Sequence, residues 1–190
     1  LLFSLLGSNI PEAVAIAKRL AALHGAINSV RTDGLPGQKD RFSYLIGRAE
    51  GIDDTREKIL AWLASRPDER AVCHGDLHAG NVIVSDGNYV AIDWMNAYSG
   101  EREGDALRSY LMMLSPYLPV PIPFWKKPAF TLFKKIVAEA YLGEYLRITG
   151  VKRKDLFVWW PAIAAAWRTV NVPGVRAGLA RKSKKNVRRV

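Results

Sequence analysis

Cysteine is almost absent from the sequence, since Cys73 is the only one among 190 residues. A single thiol cannot form a disulfide within the chain, which excludes the class of small secreted domains that depend on a disulfide framework. The lack of such a framework fits a reducing compartment, and we expect a cytoplasmic location.

Long apolar runs are missing as well. The leucine-rich segment 1–6 is too short to span a membrane and has no basic segment before it, so we expect neither an anchor nor a signal peptide. The first residue is not Met, and we therefore expect the chain to be part of a longer protein. Apolar residues nevertheless make up 49% of the sequence, which is enough to bury the core of one ordinary domain.

Acidic residues are scarce relative to basic ones. The chain has 18 Asp and Glu against 28 Lys and Arg, a formal net charge of +10, and seven of the basic side chains lie in the acid-free tail 176–190. Such a tail could bind nucleic acid or an anionic membrane. No aromatic residue is interleaved with these charges and no nucleic-acid-binding motif accompanies them, so we expect a solvated tail without a nucleic-acid or membrane partner.

Helical periodicity of apolar residues dominates the chain on both sides of residues 71–98. The pattern predicts three helices before that segment and three after it, over 11–29, 39–50, 53–65, 105–114, 130–147 and 155–171. Polar residues over 96–104 predict an irregular segment, four prolines within 116–123 exclude regular structure there, and Pro161 kinks or restarts the last helix. His24 lies on the apolar stripe of the first helix, where it is predicted to be a buried packing residue rather than a ligand.

Residues 71–98 have a different pattern, which predicts a strand, a sharp loop, a strand, a turn and a strand. The short runs 82–84 and 89–92 are rich in β-branched residues, and Asp86-Gly87-Asn88 between them is typical of a hairpin turn. Polar residues stand at the ends of these strands, where the hairpin would hold them close together. The sequence therefore predicts a mostly helical α+β domain around a small β-hairpin.

Three of these polar residues have the types and the spacing that phosphoryl transfer needs. In a tight loop after a buried strand, the Asp76 carboxylate could accept the proton of an attacking hydroxyl group. Asn81 and Asp93 offer amide and carboxylate oxygens to Mg²⁺, which prefers hard oxygen ligands. Each residue alone would be interpreted as a turn, cap or surface residue, but together they have the spacing of a kinase catalytic loop and its metal-binding Asp.

Two histidines in the same loop, His74 and His78, raise the alternative of a zinc site. Zinc normally takes three or four His, Cys or acidic ligands, and Cys73 is expected on the opposite side of its strand from His74. We therefore interpret Cys73 as a small buried residue. His74 is interpreted as a residue that hydrogen-bonds the loop backbone and fixes the shape of the loop.

Two short motifs resemble the aminoglycoside phosphotransferase and choline-kinase-like family of small-molecule kinases. They are His-Gly-Asp-Leu-His-Ala-Gly-Asn at residues 74–81 and, after it, Ile92-Asp93-Trp94. The segment that begins at Asp105 resembles the helix after the family's metal site, where the acid has a structural role. The resemblance implies a protein-kinase-like fold, of which this chain would form the large C-terminal lobe, with the N-terminal lobe absent from the chain. Within that lobe we expect helices over 1–70, the catalytic loop and metal-binding hairpin over 71–98, a helical subdomain over 99–175 and a basic tail over 176–190.

The resemblance also implies an activity, the transfer of the γ-phosphate of ATP, with Mg²⁺, to a hydroxyl group of a small molecule. Asp76 would be the catalytic base, Asn81 and Asp93 would bind Mg²⁺, and His78 would lie near the γ-phosphate. Because the chain lacks the nucleotide-binding N-terminal lobe, we expect it to hold half of an ATP site and to be inactive alone. The alternative is a non-catalytic kinase-like protein with a binding or regulatory role.

The pattern leaves the acceptor molecule and the oligomeric state open. Glu101 and Glu103 follow the metal site and could attract a cationic substrate. Three tryptophans near the end of the helical region could stack on a quaternary amine, although core packing is the interpretation that we favour for them: Trp159, Trp160 and Trp167. Aminoglycoside, choline, sugar and amino-alcohol kinases all fit the sequence.

Overall fold

The structure, a computed structural model, describes residues 9–115 and 123–169. In chain order its helices and strands are α1 (Ile10–Ser29), α2 (Gln38–Gly47), α3 (Asp53–Ala64), β1 (Ala71–Cys73), β2 (Val82–Ser85), β3 (Asn88–Ala91), β4 (Tyr98–Gly100), α4 (Arg102–Leu114), α5 (Lys127–Thr149), α6 (Arg153–Phe157) and α7 (Trp160–Ala166). This part of the chain is a mostly helical α+β fold with small antiparallel sheets, as the sequence predicts. The tail 176–190 and most of the proline-rich segment lie outside the described residues, so the expectations for them stay predictions.

Among the described elements, α1 and α5 make the most extensive contact. α1 begins where the Asn9 side chain accepts a hydrogen bond from the Glu12 backbone N–H at 2.9 Å, with Pro11 in the first turn. α5 ends at Gly150, whose φ of 71° is the left-handed conformation that closes many helices. The apolar stripe that the sequence predicts for α1 is buried, and His24 is buried with it.

The four strands form two separate two-stranded antiparallel sheets. β2 and β3 make the predicted hairpin, joined by a two-residue turn. Both turn residues have positive φ, 50° at Asp86 and 76° at Gly87, as a type I′ turn requires. β1 pairs instead with β4, so that Cys73 lies opposite Tyr98, and the Cys73 side chain is fully buried as expected.

The pairing of β1 with β4 corrects the prediction of an irregular segment over 96–104. Residues 98–100 are extended because β1 supplies their backbone partners, a long-range effect that local composition does not reveal. α4 then begins at Arg102, before the predicted start, so that Asp105 lies within the first turn. α2 ends at Gly47, earlier than predicted, and α3 begins at Asp53 as predicted.

Aromatic residues fill the core beside α2, α3 and α7. Trp159 is fully buried and makes edge-to-face contacts with Phe42 and Trp62, at ring-centroid distances of 5.6 and 5.1 Å. Pro161 lies in the first turn of α7, so it starts a new helix after α6 and does not kink a continuous one. Within 9–115 and 123–169, no helix is both long and apolar enough to cross a membrane.

Candidate active site

Residues 74–81, called here the site loop, connect β1 to β2 and are held by a carboxylate from α4. Asp105 is fully buried and accepts hydrogen bonds from two consecutive backbone N–H groups of the loop. The N–H of His74 donates to Oδ2 at 2.8 Å, and the N–H of Gly75 donates to Oδ1 at 2.9 Å. Because each carboxylate oxygen fixes one peptide group, α4 determines where the loop begins.

Asp105 keeps its negative charge although it is buried. Burial by itself raises the pKa of this carboxyl group, but the charge of His24, its hydrogen bond at 2.8 Å and the two backbone N–H groups outweigh burial and leave the pKa below its ordinary value. The site loop therefore depends on an internal negative charge that is well supplied with hydrogen-bond donors.

His24 and Asn28 connect this carboxylate to α5 and β1. His24 donates from Nε2 to the carboxylate, and its Nδ1 lies 2.6 Å from the hydroxyl group of Tyr141. Asn28 donates to the carbonyl of Val72 at 2.9 Å and accepts from the hydroxyl group of Tyr145 at 2.8 Å. One polar network thus joins α1, β1, α4 and α5 behind the site loop, and His24 is a buried packing residue as the sequence predicts.

Gly75 makes the sharp turn of the site loop possible. Its φ is 76°, which lies in the left-handed region, and a Cβ atom at this position would lie 2.1 Å from the carbonyl oxygen of Asn96. No side chain fits between these two stretches of backbone. The segment that follows β3 is therefore packed directly against the start of the site loop.

His74 ties the site loop to the hairpin. Its Nε2 donates to the carbonyl of Ile92 at 2.9 Å, and its Nδ1 accepts the backbone N–H of Asp76 at 3.3 Å. Burial lowers the pKa of His74, and the neutral ring with its proton on Nε2 satisfies both hydrogen bonds. The ring therefore holds the backbone of Asp76 in a fixed relation to the end of the hairpin.

Asp76 and Asn81 are joined directly across the site loop. The Asn81 side chain donates from Nδ2 to the Asp76 carbonyl at 3.0 Å, and the Asn81 carbonyl accepts the backbone N–H of Ile92 at 2.9 Å. Asn81 is buried and Asp76 is half-buried. Since the amide nitrogen of Asn81 is used in this way, its amide oxygen is left without a hydrogen bond from the described residues.

Asp93 follows β3 in a conformation that is uncommon for a residue with a side chain. Its φ and ψ are 63° and 60°, in the left-handed region, and such strain is often found at functional sites. Asp93 is exposed, and its carboxylate makes no hydrogen bond or ion pair with residues of the described ranges. The main-chain contacts of Ile92, the preceding residue, with both His74 and Asn81 place Asp93 beside the site loop.

His78 lies beside the carboxylate of Asp76 in the site loop. Its Nε2 is 3.9 Å from Oδ2 of Asp76, and its Nδ1 accepts the backbone N–H of Gly80 at 3.0 Å. Burial lowers the pKa of His78, whereas the charges of Asp76 and Asp93 act in the opposite direction. The ring is thus held by a hydrogen bond within the site loop, and the charges of both acids favour its protonated form.

The oxygens around the site loop fit magnesium better than zinc. Across the described part of the chain, no three or more His, Cys, Asp or Glu side chains form a group that could hold a metal ion, and a zinc site normally takes three or four such ligands. Mg²⁺ needs fewer protein ligands, because water and phosphate oxygens complete its coordination. The free oxygens of Asn81 and Asp93 have the right chemistry, and their roles stay predictions, as do those of Asp76 and His78.

Sequence reasoning missed two arginines beside Asp76. Arg108 in α4 donates from Nη2 to Oδ1 of Asp76 at 3.2 Å. Arg41 in α2 donates to the side chain of Asn96, and burial together with the charge of Arg108 lowers the pKa of Arg41. Arg108 could have been noticed because it follows Asp105 by one helical turn. No local signal distinguishes Arg41 from an ordinary surface residue.

Of the two acids considered for a cationic substrate, Glu101 is occupied inside the fold. Glu101 is buried and pairs with Arg66 through both carboxylate oxygens, an interaction that raises the pKa of Arg66. Burial raises the pKa of Glu103. The interpretation of Glu101 as a substrate attractor is wrong because its charge is neutralised by an internal partner. Core packing is confirmed for Trp159 and for Trp167, which is buried beneath an arginine side chain.

Comparison with known proteins agrees with the motif. The model of the phosphotransferase enzyme family (APH) matches residues 7–116, which cover α1 to α4, both sheets and the site loop. A search of the curated proteins found no match. The match extends over more than half of the chain and confirms the resemblance drawn from residues 74–81 and 92–94. This chain therefore belongs to the phosphotransferase enzyme family.

Proposed function

We propose that this chain supplies the catalytic base and the metal ligands of an ATP- and Mg²⁺-dependent kinase that phosphorylates a hydroxyl group of a small molecule. The observation that carries the proposal is the hydrogen bonding around Asn81. Its side chain binds the carbonyl of Asp76, and its carbonyl binds the N–H of Ile92, the neighbour of Asp93. Family membership supports phosphotransferase chemistry and leaves the acceptor open.

Asp76 is proposed as the base. Its backbone is held on both sides, by the ring of His74 and by the amide of Asn81, so the loop presents the carboxylate at a defined position. One carboxylate oxygen accepts a hydrogen bond from Arg108, and the other faces His78. When an acceptor hydroxyl group attacks, the carboxylate receives its proton while Arg108 maintains the orientation of the side chain.

Asn81 and Asp93 are proposed to hold Mg²⁺ through their free amide and carboxylate oxygens, which are hard donors. When bound, ATP and Mg²⁺ supply the transferable phosphoryl group and the positive charge that offsets its oxygens. The left-handed backbone of Asp93 costs free energy, and a metal-binding role accounts for that cost better than a role in folding does.

The hairpin offers an apolar surface for a nucleotide base next to these oxygens. Ile83 and Val90 are cross-strand partners, and they are 41% and 49% exposed. We propose that this face contributes to the binding of the adenine ring. The remainder of the nucleotide site would come from the N-terminal lobe of a kinase-like fold, in which the present chain forms the C-terminal lobe.

The test is ATP consumption by the full-length gene product with Mg²⁺ and a panel of hydroxyl-bearing amines, sugars and hydroxy acids. With the responsive acceptor, Asp76→Asn should lower turnover by about 10²- to 10⁴-fold, the usual contribution of a general base. Asp68→Asn is the matched control, because Asp68 is exposed and pairs with Lys39 at the surface. A loss of less than about threefold in Asp76→Asn, far below what a general base contributes, would remove Asp76 from this role.

The same assay addresses the alternative of a non-catalytic kinase-like protein with a binding or regulatory role. Such a protein would bind ATP or a partner and would consume no ATP with any acceptor. The free oxygens of Asn81 and Asp93 favour the enzyme, because a scaffold gains nothing from a strained residue with an unused carboxylate.

A further inference from the structure

Two guanidinium groups converge on Asp76 from helices that do not belong to the hairpin. Arg108 comes from α4 and donates to Oδ1 of Asp76 at 3.2 Å. Arg41 comes from α2 and donates to the side chain of Asn96, whose backbone carbonyl packs against Gly75, the residue before Asp76. Arg108 therefore contacts the carboxylate that is proposed as the base, and Arg41 lies near enough for its charge to interact with the charges of Asp76 and Arg108.

The charges in this cluster do not balance. One carboxylate stands beside two guanidinium groups, and only 16% of the Arg108 side chain is exposed. Its Nε is buried and has no hydrogen-bond partner within the described ranges. Burial lowers the pKa of Arg41, Arg108 lowers it further, and Asp76 opposes both effects. Asp76 offsets one of the two positive charges, and a second partly desolvated cation held close to this pair is costly unless another anion binds it.

We propose that Arg41 and Arg108 bind an anionic group, a carboxylate or a phosphate, of the acceptor molecule whose hydroxyl group is presented to Asp76. The inference rests on the proposed function and narrows its substrate class to anionic hydroxyl compounds. Guanidinium groups recognise carboxylates and phosphates through charge-assisted, often bidentate hydrogen bonds. Glu101 provides no competing cation site, because Arg66 neutralises it inside the fold.

The phosphoryl group in transfer is a second anion that these arginines could bind, but the geometry favours the acceptor. Oδ1 of Asp76 faces Arg108, whereas Oδ2 faces His78, on the side of the loop that continues to Asn81 and the hairpin. The metal and the phosphates would lie on the His78 side. An acceptor must approach from the opposite side for in-line transfer, and that side is bordered by the arginines.

The first arm of the experiment compares matched acceptors with the full-length gene product. Each pair shares a hydroxyl group and differs in an anionic group: glycerate with glycerol, glycerol 3-phosphate with glycerol, and serine with ethanolamine. We expect ATP consumption with the anionic members and a kcat/KM about tenfold or more lower with their partners, the effect of one lost charge-assisted hydrogen bond.

The second arm replaces the arginines. With the best anionic acceptor, Arg41→Gln and Arg108→Lys should each raise its KM about tenfold or more, while the KM for ATP stays unchanged. Arg48→Gln is the control, since Arg48 is exposed just after α2, with its guanidinium over the ring of Tyr44, and it should keep the original KM. Arg41 is only half-buried, so its replacement should leave the domain folded, which circular dichroism checks.

Three results would overturn the inference. Equal kcat/KM with glycerol or ethanolamine, abolished by Asp76→Asn, would leave the proposed function standing and refute an anionic acceptor. An equal fall in kcat with every acceptor in Arg41→Gln, which leaves the hydrogen bond between Arg108 and Asp76 in place, would assign Arg41 to the phosphoryl group. An absence of ATP consumption with every acceptor would count against the proposed function and the inference together.

Discussion

Replacing Asp105 by Asn should show whether one buried carboxylate holds the site loop in place. The change keeps the size of the side chain and removes its charge, so it alters hydrogen bonding without opening a cavity. In the structure, Oδ2 accepts from His24, from the N–H of His74 and from the Asn28 side chain, and Oδ1 accepts from the N–H of Gly75. An amide has one acceptor oxygen and one donor group, so either orientation places its NH₂ against a buried backbone N–H.

The expected cost follows from counting the donors that lose their acceptor. If the amide oxygen takes the place of Oδ2, only the N–H of Gly75 is left unsatisfied, and in the reverse orientation His24, His74 and Asn28 all lose this acceptor. Each unsatisfied buried donor costs about 1–3 kcal/mol. Because the amide adopts the orientation that costs less, we expect Asp105→Asn to lower the free energy of unfolding by about 1–3 kcal/mol, a large fraction of the total stability of a typical domain.

Urea denaturation followed by far-ultraviolet circular dichroism measures this loss, and Asp93→Asn is the matched control. It makes the same chemical change at a carboxylate that has no hydrogen bond within the described ranges, and Asn tolerates the left-handed backbone found there. The control should stay within about 0.5 kcal/mol of the original protein. Equal stability of the two variants would refute the reasoning, because it would mean that the Asp105 network contributes nothing measurable to the fold.

Stability should also depend on pH and on the glycine of the site loop. Burial lowers the pKa of His74 and His78, so below about pH 6.5 the unfolded chain binds protons that the folded chain does not, and stability should fall as the pH falls. The urea concentration at the unfolding midpoint, compared at about pH 7.5 and 5.5, measures this change in stability. If His74→Asn had the same pH dependence as the original protein, the effect could not be assigned to His74. Gly75→Ala should cost about 2–5 kcal/mol, because it adds a clash with Asn96 to a positive φ. Gly87→Ala, with φ also 76° but open space around it, should cost only about 1–2 kcal/mol, and equal losses would exclude the clash.

Elements that depend on nearby residues could be predicted from the sequence. The Asp86-Gly87 turn lies between two β-branched runs, and its two positive φ values are what that dipeptide favours. The start of α1 depends on Asn9 and Pro11, and the end of α5 depends on Gly150. In each case the determinants lie within a few residues of the boundary, so a local pattern contains them.

Features set by distant residues could not be predicted in this way. β4 is a strand because β1 pairs with it, and its own polar composition indicates an irregular segment. In the sequence, Glu101 cannot be distinguished from a surface acid. In the fold its carboxylate pairs with Arg66, and its backbone forms hydrogen bonds with the side chain of Gln38. Arg41 becomes part of the candidate site only because the fold brings α2 against the segment after β3.

The candidate site combines both kinds of information. Spacing alone selects Asp76, Asn81 and Asp93 as residues of the right type, but only the fold decides which of their atoms are already used. The amide nitrogen of Asn81 and both ring nitrogens of His74 are committed to backbone partners. The amide oxygen of Asn81 and the carboxylate of Asp93 are left without partners among the described residues. Both groups are thus open to a cation, as a loop that binds Mg²⁺ through oxygen ligands requires.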